Sequence, residues 1–320
     1  MQFSPPSVGS GAPEPPVGVC ANGGRSTEVE TPTAQLVQPG GRFGMPGARY
    51  LLRSVFSMPT YRPNKGRHEN GQNYLVNKSM IKKVVDLVPV SASVPVIEIG
   101  PGHGALTFPL QDRVLATGGS LTAVEIDPAS VRWLEERLRP EVHLYEQDAL
   151  DFVLPDGPHV LVGNLPFHLT TAILRHVLHS PGWTHAVFLV QWEVARRRAG
   201  VGGATMMTAQ WWPWFDFEQH GRIPSTHFRP RPTVDAGVLV MRRREEPLVN
   251  WSERARYASF VHAVFTGKGR GIADIVSRVV GRRRERRCAE VLREAGVPAN
   301  ALPKQLDAGQ WATLFKAVGR

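Results

Sequence analysis

Residues 94–107 read VPVIEIGPGHGALT, and this stretch decides the fold. A short run of β-branched residues ends in three glycines at alternate positions, then passes into a helix-like sequence. Glycine lets a backbone turn tightly and approach a ligand with no Cβ in the way. A strand, a glycine loop and a helix in that order open an α/β sheet.

The same alternation repeats outward from it. Short β-rich runs lie at 120–127 (SLTAVEID), 141–148 (EVHLYEQD), 159–164 (HVLVGN) and 184–191 (THAVFLVQ), with helix-like stretches at 105–116, 128–139, 170–179 and 192–198. Strands and helices of these lengths predict a parallel sheet covered on both faces. One more apolar run, AGVLVMR (236–242), follows a Pro-rich loop. Beyond Pro247 the pattern is helical only: 251–267, 272–296 and 306–319. Three regions are therefore expected: a Pro/Gly-rich disordered tail at 1–66, a catalytic cofactor domain at 67–247, and a small all-helical basic domain at 248–320. Within the tail, Arg49–Phe56 (RYLLRSVF) reads as a short amphipathic turn, a targeting remnant or, by preference, an unstructured stretch.

The formal net charge is +10, and its placement is uneven. Residues 251–320 carry 14 Lys and Arg against 6 Asp and Glu, whereas 61–250 carry 20 against 19. Such clustering points to a polyanion, nucleic acid above all, on the C-terminal segment, with a solvated basic surface as the alternative. No apolar run approaches the length of a membrane span, which is about 18 residues. The two cysteines, Cys20 and Cys288, are too few for a disulfide framework and too isolated for a metal site, so a reducing cytoplasm is expected.

The glycine loop has the spacing E-x-G-x-G-x-G, from Glu98 to Gly104. A dinucleotide fingerprint is one residue longer, and no basic residue here is offered to a phosphate, so a cofactor without a pyrophosphate is favoured. Glu125 ends the second strand twenty-one residues past Gly104, where a carboxylate can take two ribose hydroxyls. Asp148 ends the third and can accept from an adenine amino group. Each alone is an ordinary strand end. At three successive strand ends they point to a nucleoside cofactor, and S-adenosylmethionine (AdoMet) fits the spacing best.

GQNYLVN (71–77), VIEIGPGHGALT (96–107), VEID (124–127), QDAL (147–150), GNLPFH (163–168) and FRPRPTVDAGVLVM (228–241) occur in the order seen in one family. Together they resemble the rRNA adenine N6-methyltransferases, in particular the erythromycin-resistance branch. The resemblance is specific over about 67–245 and looser through the helical C-terminus, and it leaves the tail unexplained. It implies a Rossmann-like AdoMet-dependent methyltransferase sheet and methylation, once or twice, of one adenine in 23S rRNA, blocking macrolide-type antibiotics. It further implies Asn73 and Leu75 near the methionine end of AdoMet, Gly100 and Gly102 lining it, Glu125 on the ribose, Asp148 on the adenine and Asn164 at the substrate edge. The expected partner is 23S rRNA, nascent or incompletely assembled, met by a monomer without a membrane or a metal. A housekeeping dimethyladenosine transferase for the small subunit is the alternative within the class. A non-catalytic RNA-binding relative is the alternative outside it. The phenylalanine of NLPF and the RHENGQNYLVN entry lean toward the resistance branch.

Asn164-Leu165-Pro166-Phe167 offers no acid, base, thiol or serine. An activated sulfonium methyl needs none: the protein must align an amine and stabilise its growing positive charge. The Asn164 side-chain oxygen and the Leu165 carbonyl are suited to accept the amine hydrogens, Pro166 fixes the backbone, and Phe167 presents a flat face to a flipped base. The family resemblance makes Phe228 the cover of that base from the other side, where its residue pattern alone favours a core phenylalanine in a Pro-rich loop, and Tyr74 is expected to cover the cofactor side or join the core. Arg196, Arg197 and Arg198, with Arg282, Arg283, Arg284, Arg286 and Arg287, are candidate phosphate contacts, each with a solvated helix face as the alternative. The solvated alternative is preferred for Arg242–Arg244, buried core for Trp211, Trp212, Trp214 and Phe215, and a flexible loop for GVGG at 200–203.

Overall fold

A computed structural model describes residues 73–281 and 285–319. The tail expected at 1–66, the stretch Arg49–Phe56 and the basic residues Arg282, Arg283 and Arg284 lie outside the described residues.

The main sheet has seven strands: β2 (Val96–Ile99), β3 (Leu121–Glu125), β4 (His143–Glu146), β5 (His159–Asn164), β6 (Trp183–Gln191), β7 (Phe215–Ile223) and β9 (Ala236–Arg243). Their order is β4-β3-β2-β5-β6-β9-β7. The first five run parallel, while β9 pairs antiparallel with both β6 and β7. The expectation of a parallel sheet is thus corrected at one edge, where β7 and β9 are joined through a loop with no crossover helix and so return in opposite directions. A separate two-stranded ribbon joins β1 (Tyr74–Leu75) to β8 (Phe228–Arg229).

Helices α1 (Lys78–Asp86) and α2 (Thr107–Leu115) cover one face of the sheet. Asn77 caps α1 by accepting from the Met80 N–H, so the helix starts directly after the ribbon. Helix α3 (Pro128–Glu135) starts on a side-chain cap from Asp127 with proline at its first position. On the other face lie α4 (Thr170–His179), α5 (Trp192–Arg198) and α6 (Met206–Trp211). Strand β2 is buried along its whole length, as its unbroken apolar pattern requires.

The C-terminal segment forms α7 (Arg254–Thr266), α8 (Ile272–Val280), α9 (Glu285–Glu294) and α10 (Ala308–Val318). Its buried Tyr257, Phe260, Trp311 and Phe315 belong to the same apolar cluster as Trp211, Trp214 and Phe215 of the sheet side. The Tyr257 hydroxyl donates to the Ala209 carbonyl at 2.9 Å, which gives that buried phenol a partner. The aromatic block is therefore core, as expected, with Trp212 alone partly exposed.

Candidate active site

The chain builds β2, β3 and β4 to one side, then returns to lay β5 against the other side of β2. The crevice above β2 and β5 is a topological switch point, the place where open α/β sheets hold ligands. The loop after β2 carries the glycines and the loop after β5 carries NLPF. They stand side by side because Gly163 allows it: a Cβ there would lie 2.4 Å from the Ile99 carbonyl oxygen.

Gly100, Gly102 and Gly104 all have positive φ, at 67°, 54° and 75°. They differ in what surrounds them. A Cβ on Gly102 would meet the Tyr74 ring at 2.6 Å and one on Gly104 the Phe108 ring at 2.4 Å, whereas one on Gly100 would enter open space. Gly100 thus borders a cradle that a side chain would fill.

The end of β3 is preorganised. Glu125 is buried, and its carboxylate accepts from the Gly102, Ile126 and Asp127 N–H groups, each at 2.9 Å. Those bonds tie the glycine loop to the acid that faces it and fix the carboxylate, leaving one lone pair on Oε2 for a further donor. Ile126, directly after this acid, is a large apolar residue left 56 % exposed. Sequence reasoning passed over it, although an isolated apolar residue just past a strand-end acid is a readable signal. Asp148, half-buried, accepts from the Leu150 N–H at 2.9 Å through Oδ1. Behind the loop, Glu98 is 1 % exposed, and its Oε2 has no hydrogen-bond partner among the described residues. Burial pushes its carboxyl up to about 8, offset in part by contact with Thr107 and reinforced by the Glu125 charge.

At the end of β5, Asn164 is half-buried and its Nδ2 donates to the Asn73 carbonyl at 2.7 Å. The amide is thereby turned so that Oδ1 is the atom left for another donor. The Leu165 N–H donates to the Leu189 carbonyl at 3.0 Å, continuing the pairing with β6 for one more residue. The Pro166 carbonyl accepts from the Leu169 N–H at 3.0 Å and the Thr170 hydroxyl at 3.2 Å, and the turn runs into α4. Phe167 is half-buried, with ring surface left to solvent.

Several expected site residues are placed differently. Phe228 is 0 % exposed and packs in the cluster under β1 and β8, so its ring has no face to offer a base, and the expected sandwich is corrected on that ground. The Leu75 side chain is buried in the same cluster, which leaves only its backbone for a ligand. Arg198 turns inward: its Nη1 donates to Thr205 Oγ1 at 2.7 Å and its buried Nε has no partner among the described residues. Burial and the like charges of Arg175 and Arg197 push its pKa down, and it is the inward turn of the side chain that makes it a poor phosphate contact. Arg196 pairs with Glu193 and the exposed Arg287 with Glu290, while Arg197 and Arg286 are exposed. Arg242 and Arg244 pair with Glu218 and Asp216, and Arg243 lies over Trp183 and Phe215, so that run is held within the protein. The GVGG loop is anchored where the Ala204 N–H donates to the Lys304 carbonyl at 2.7 Å.

Comparison with known proteins identifies the family. The family model described as ribosomal RNA adenine dimethylase matches residues 63–319. An rRNA adenine N-6-methyltransferase of Corynebacterium diphtheriae is 52 % identical over 214 residues, which is 67 % of this chain and 83 % of the relative. The mycinamicin-resistance protein MyrB of Micromonospora griseorubida is 42 % identical over 78 % of each chain. Among solved structures, the 23S rRNA methyltransferase ErmE superposes with a TM-score of 0.71 at 33 % identity, covering 78 % of this chain and all of that one.

Proposed function

The chain belongs to the ribosomal RNA adenine dimethylase family of methyltransferases, and from that premise we propose that it methylates N6 of one adenine in 23S rRNA with AdoMet, protecting ribosomes from macrolide-type antibiotics. The observation that carries the reading is the Asn164 amide, locked by the Asn73 carbonyl beside the open cradle at Gly100. The 52 % and 42 % identities to the methyltransferase and to MyrB favour the resistance branch over the small-subunit enzymes.

The residues present fit AdoMet. Gly100 leaves the room, Glu125 offers a fixed carboxylate to ribose hydroxyls, Asp148 an acceptor to the adenine amine, and Ile126 an apolar surface to the adenine face. Asn73 and Leu75, through their backbones, complete the cradle at the methionine end. When bound, AdoMet supplies a methyl already activated by its sulfonium. The protein's own work is alignment. Asn164 Oδ1 and the Leu165 carbonyl accept the two hydrogens of the target amine, draw its lone pair out of the ring and stabilise the charge that develops on nitrogen. Pro166 holds that carbonyl in place, and Phe167 stacks on the flipped base. The amine proton leaves to water after transfer, so no side-chain base is needed.

Exposed Arg197, Arg286 and Arg287 grip rRNA phosphates, with Arg282, Arg283 and Arg284, outside the described residues, as further candidates. The protein acts as a monomer in the cytoplasm, on rRNA not yet closed into the finished large subunit. Primer extension on 23S and 16S rRNA, after incubation of each with the protein and AdoMet, tests the reading. A new stop in 23S rRNA supports it. A stop confined to 16S rRNA transfers the protein to the housekeeping role, and no stop or incorporated methyl in either removes the proposal.

A further inference from the structure

Two consecutive residues, Asn73 and Tyr74 at the start of β1, touch three of the strand ends that form the crevice. The Tyr74 ring lies on the glycine loop after β2, stacked on His103 with centroids 4.2 Å apart and planes 9° from parallel, and close enough to Gly102 to exclude a Cβ. Its hydroxyl faces the Ser130 side chain in the first turn of α3, past the end of β3. The preceding residue, Asn73, holds the Asn164 amide at the end of β5 through its carbonyl. The strand that follows from them is only two residues long and stands outside the main sheet. It pairs with β8 through Tyr74 opposite Arg229 and Leu75 opposite Phe228, and the Val76 N–H donates to the His227 carbonyl at 2.9 Å.

An asparagine amide can turn about its last torsion and present NH2 in place of oxygen. An amine needing an acceptor would then meet a donor. Asn164 presents Oδ1 only while the Asn73 carbonyl takes its Nδ2, so the strap formed by Asn73 and Tyr74 sets the catalytic amide. The other end of the strap rests on the loop that borders the cradle at Gly100. We propose that Tyr74 is a positioning residue, through which the glycine loop and α3 fix Asn73 and so orient Asn164 for methyl transfer. This inference rests on the methyltransferase reading above. It assigns Tyr74 a part in the transfer step itself, beyond covering the cofactor.

A double-mutant cycle separates that role from plain cofactor binding or plain stability. Single-turnover transfer of labelled methyl to 23S rRNA transcripts is measured at saturating AdoMet for the full-length wild type, Tyr74→Ala, Tyr74→Phe, Asn164→Ala and the two double variants. Tyr74→Ala is expected to slow transfer about tenfold, about 1.4 kcal/mol, with saturating cofactor unable to restore it. In the Asn164→Ala background the same change is expected to cost less than about twofold, since the amide it orients is gone. Tyr74→Phe keeps the ring on Gly102 and loses the hydroxyl that faces Ser130. It is expected to slow transfer by a smaller factor that likewise disappears without Asn164, and it carries the test if Tyr74→Ala does not fold. Equal penalties in the two backgrounds, or a wild-type rate restored by saturating AdoMet, overturn the strap while methyl transfer by the wild type stands. A wild type that transfers no methyl to 23S rRNA overturns the substrate reading and the strap with it.

Discussion

Asn164 and Asn73, 91 residues apart in sequence, meet through one 2.7 Å hydrogen bond from side-chain Nδ2 to backbone carbonyl. A backbone carbonyl can only accept. Its demand therefore fixes which end of the amide faces the crevice, a choice that the side chain alone leaves open.

Asn164→Ala is expected to lower kcat by about 10²–10³ with little change in KM, since the bond to the target amine strengthens as charge builds. Phe167→Ala should raise KM as well, by the roughly 1–3 kcal/mol of a base–aromatic stack, and Phe167→Tyr should keep most activity. Single-turnover methylation of a 23S rRNA fragment measures both. Near-wild-type turnover in Asn164→Ala would falsify its proposed role.

Asp148→Ala removes an acceptor from the adenine end of the cradle and leaves the Leu150 N–H without its side-chain partner. AdoMet affinity is expected to fall by about 1–3 kcal/mol, the usual cost of unpairing a polar group. Calorimetric titration with AdoMet reads this directly, and unchanged affinity removes Asp148 from the site.

Gly100→Ala and Gly102→Ala should part company. Both force alanine to positive φ at roughly 1 kcal/mol or more. The new methyl of Gly100→Ala enters open space, whereas that of Gly102→Ala strikes the Tyr74 ring. Thermal melts are expected to show the larger loss for Gly102→Ala. AdoMet titration is expected to show that Gly100→Ala, though folded, binds far more weakly. Wild-type cofactor affinity in Gly100→Ala would place the cradle elsewhere.

Glu98 gives stability a pH dependence. Its folded-state value is about 8 against 4.5 for the free carboxyl, so between those limits the folded protein holds a proton that the unfolded chain releases. Stability therefore falls as pH rises through that window, by about 1.4 kcal/mol per unit from this group. Glu98→Gln keeps the shape without the proton and is expected to gain on the wild type between pH 5 and about 8. Denaturant midpoints of the two proteins across that range check it, and parallel curves would show that Glu98 does not hold the proton.

Replacing Arg197, Arg286 and Arg287 together with glutamine should weaken RNA binding and reduce the slope of log affinity against log salt by about 0.7–0.9 for each phosphate no longer neutralised. AdoMet affinity should stay the same. An unchanged slope would move the RNA surface to another face.

Much of the fold was legible because buried parallel strands leave an unmistakable apolar run, as VIEI of β2 does. Strand β7 escaped notice. Its alternation lasts four residues (FDFE) before exposed His220, Gly221 and Arg222 interrupt it, at a register shift where Gly221 has a φ of 106°. The single long helical stretch expected at 272–296 is interrupted after Val280, and Gly281 has a φ of 86°. Glycine loop and strand-end acids could be read from spacing because they are local. The Asn73–Asn164 bond and the burial of Phe228 could not, since both depend on where the ribbon β1–β8 settles.

The sheet and the C-terminal helices share one aromatic cluster, and this bears on how the chain is made. Synthesis runs at about 5–20 residues per second, and α10, which leaves the ribosome after the other helices of that cluster, carries the fully buried Trp311 and Phe315. Until it emerges, Tyr257 and Phe260 lack partners that close the cluster over Trp211 and Trp214. A nascent chain holding every proposed cofactor residue would still display an unfinished apolar face. Stop codons that remove α10 should accordingly yield aggregates or protease substrates instead of a shortened enzyme.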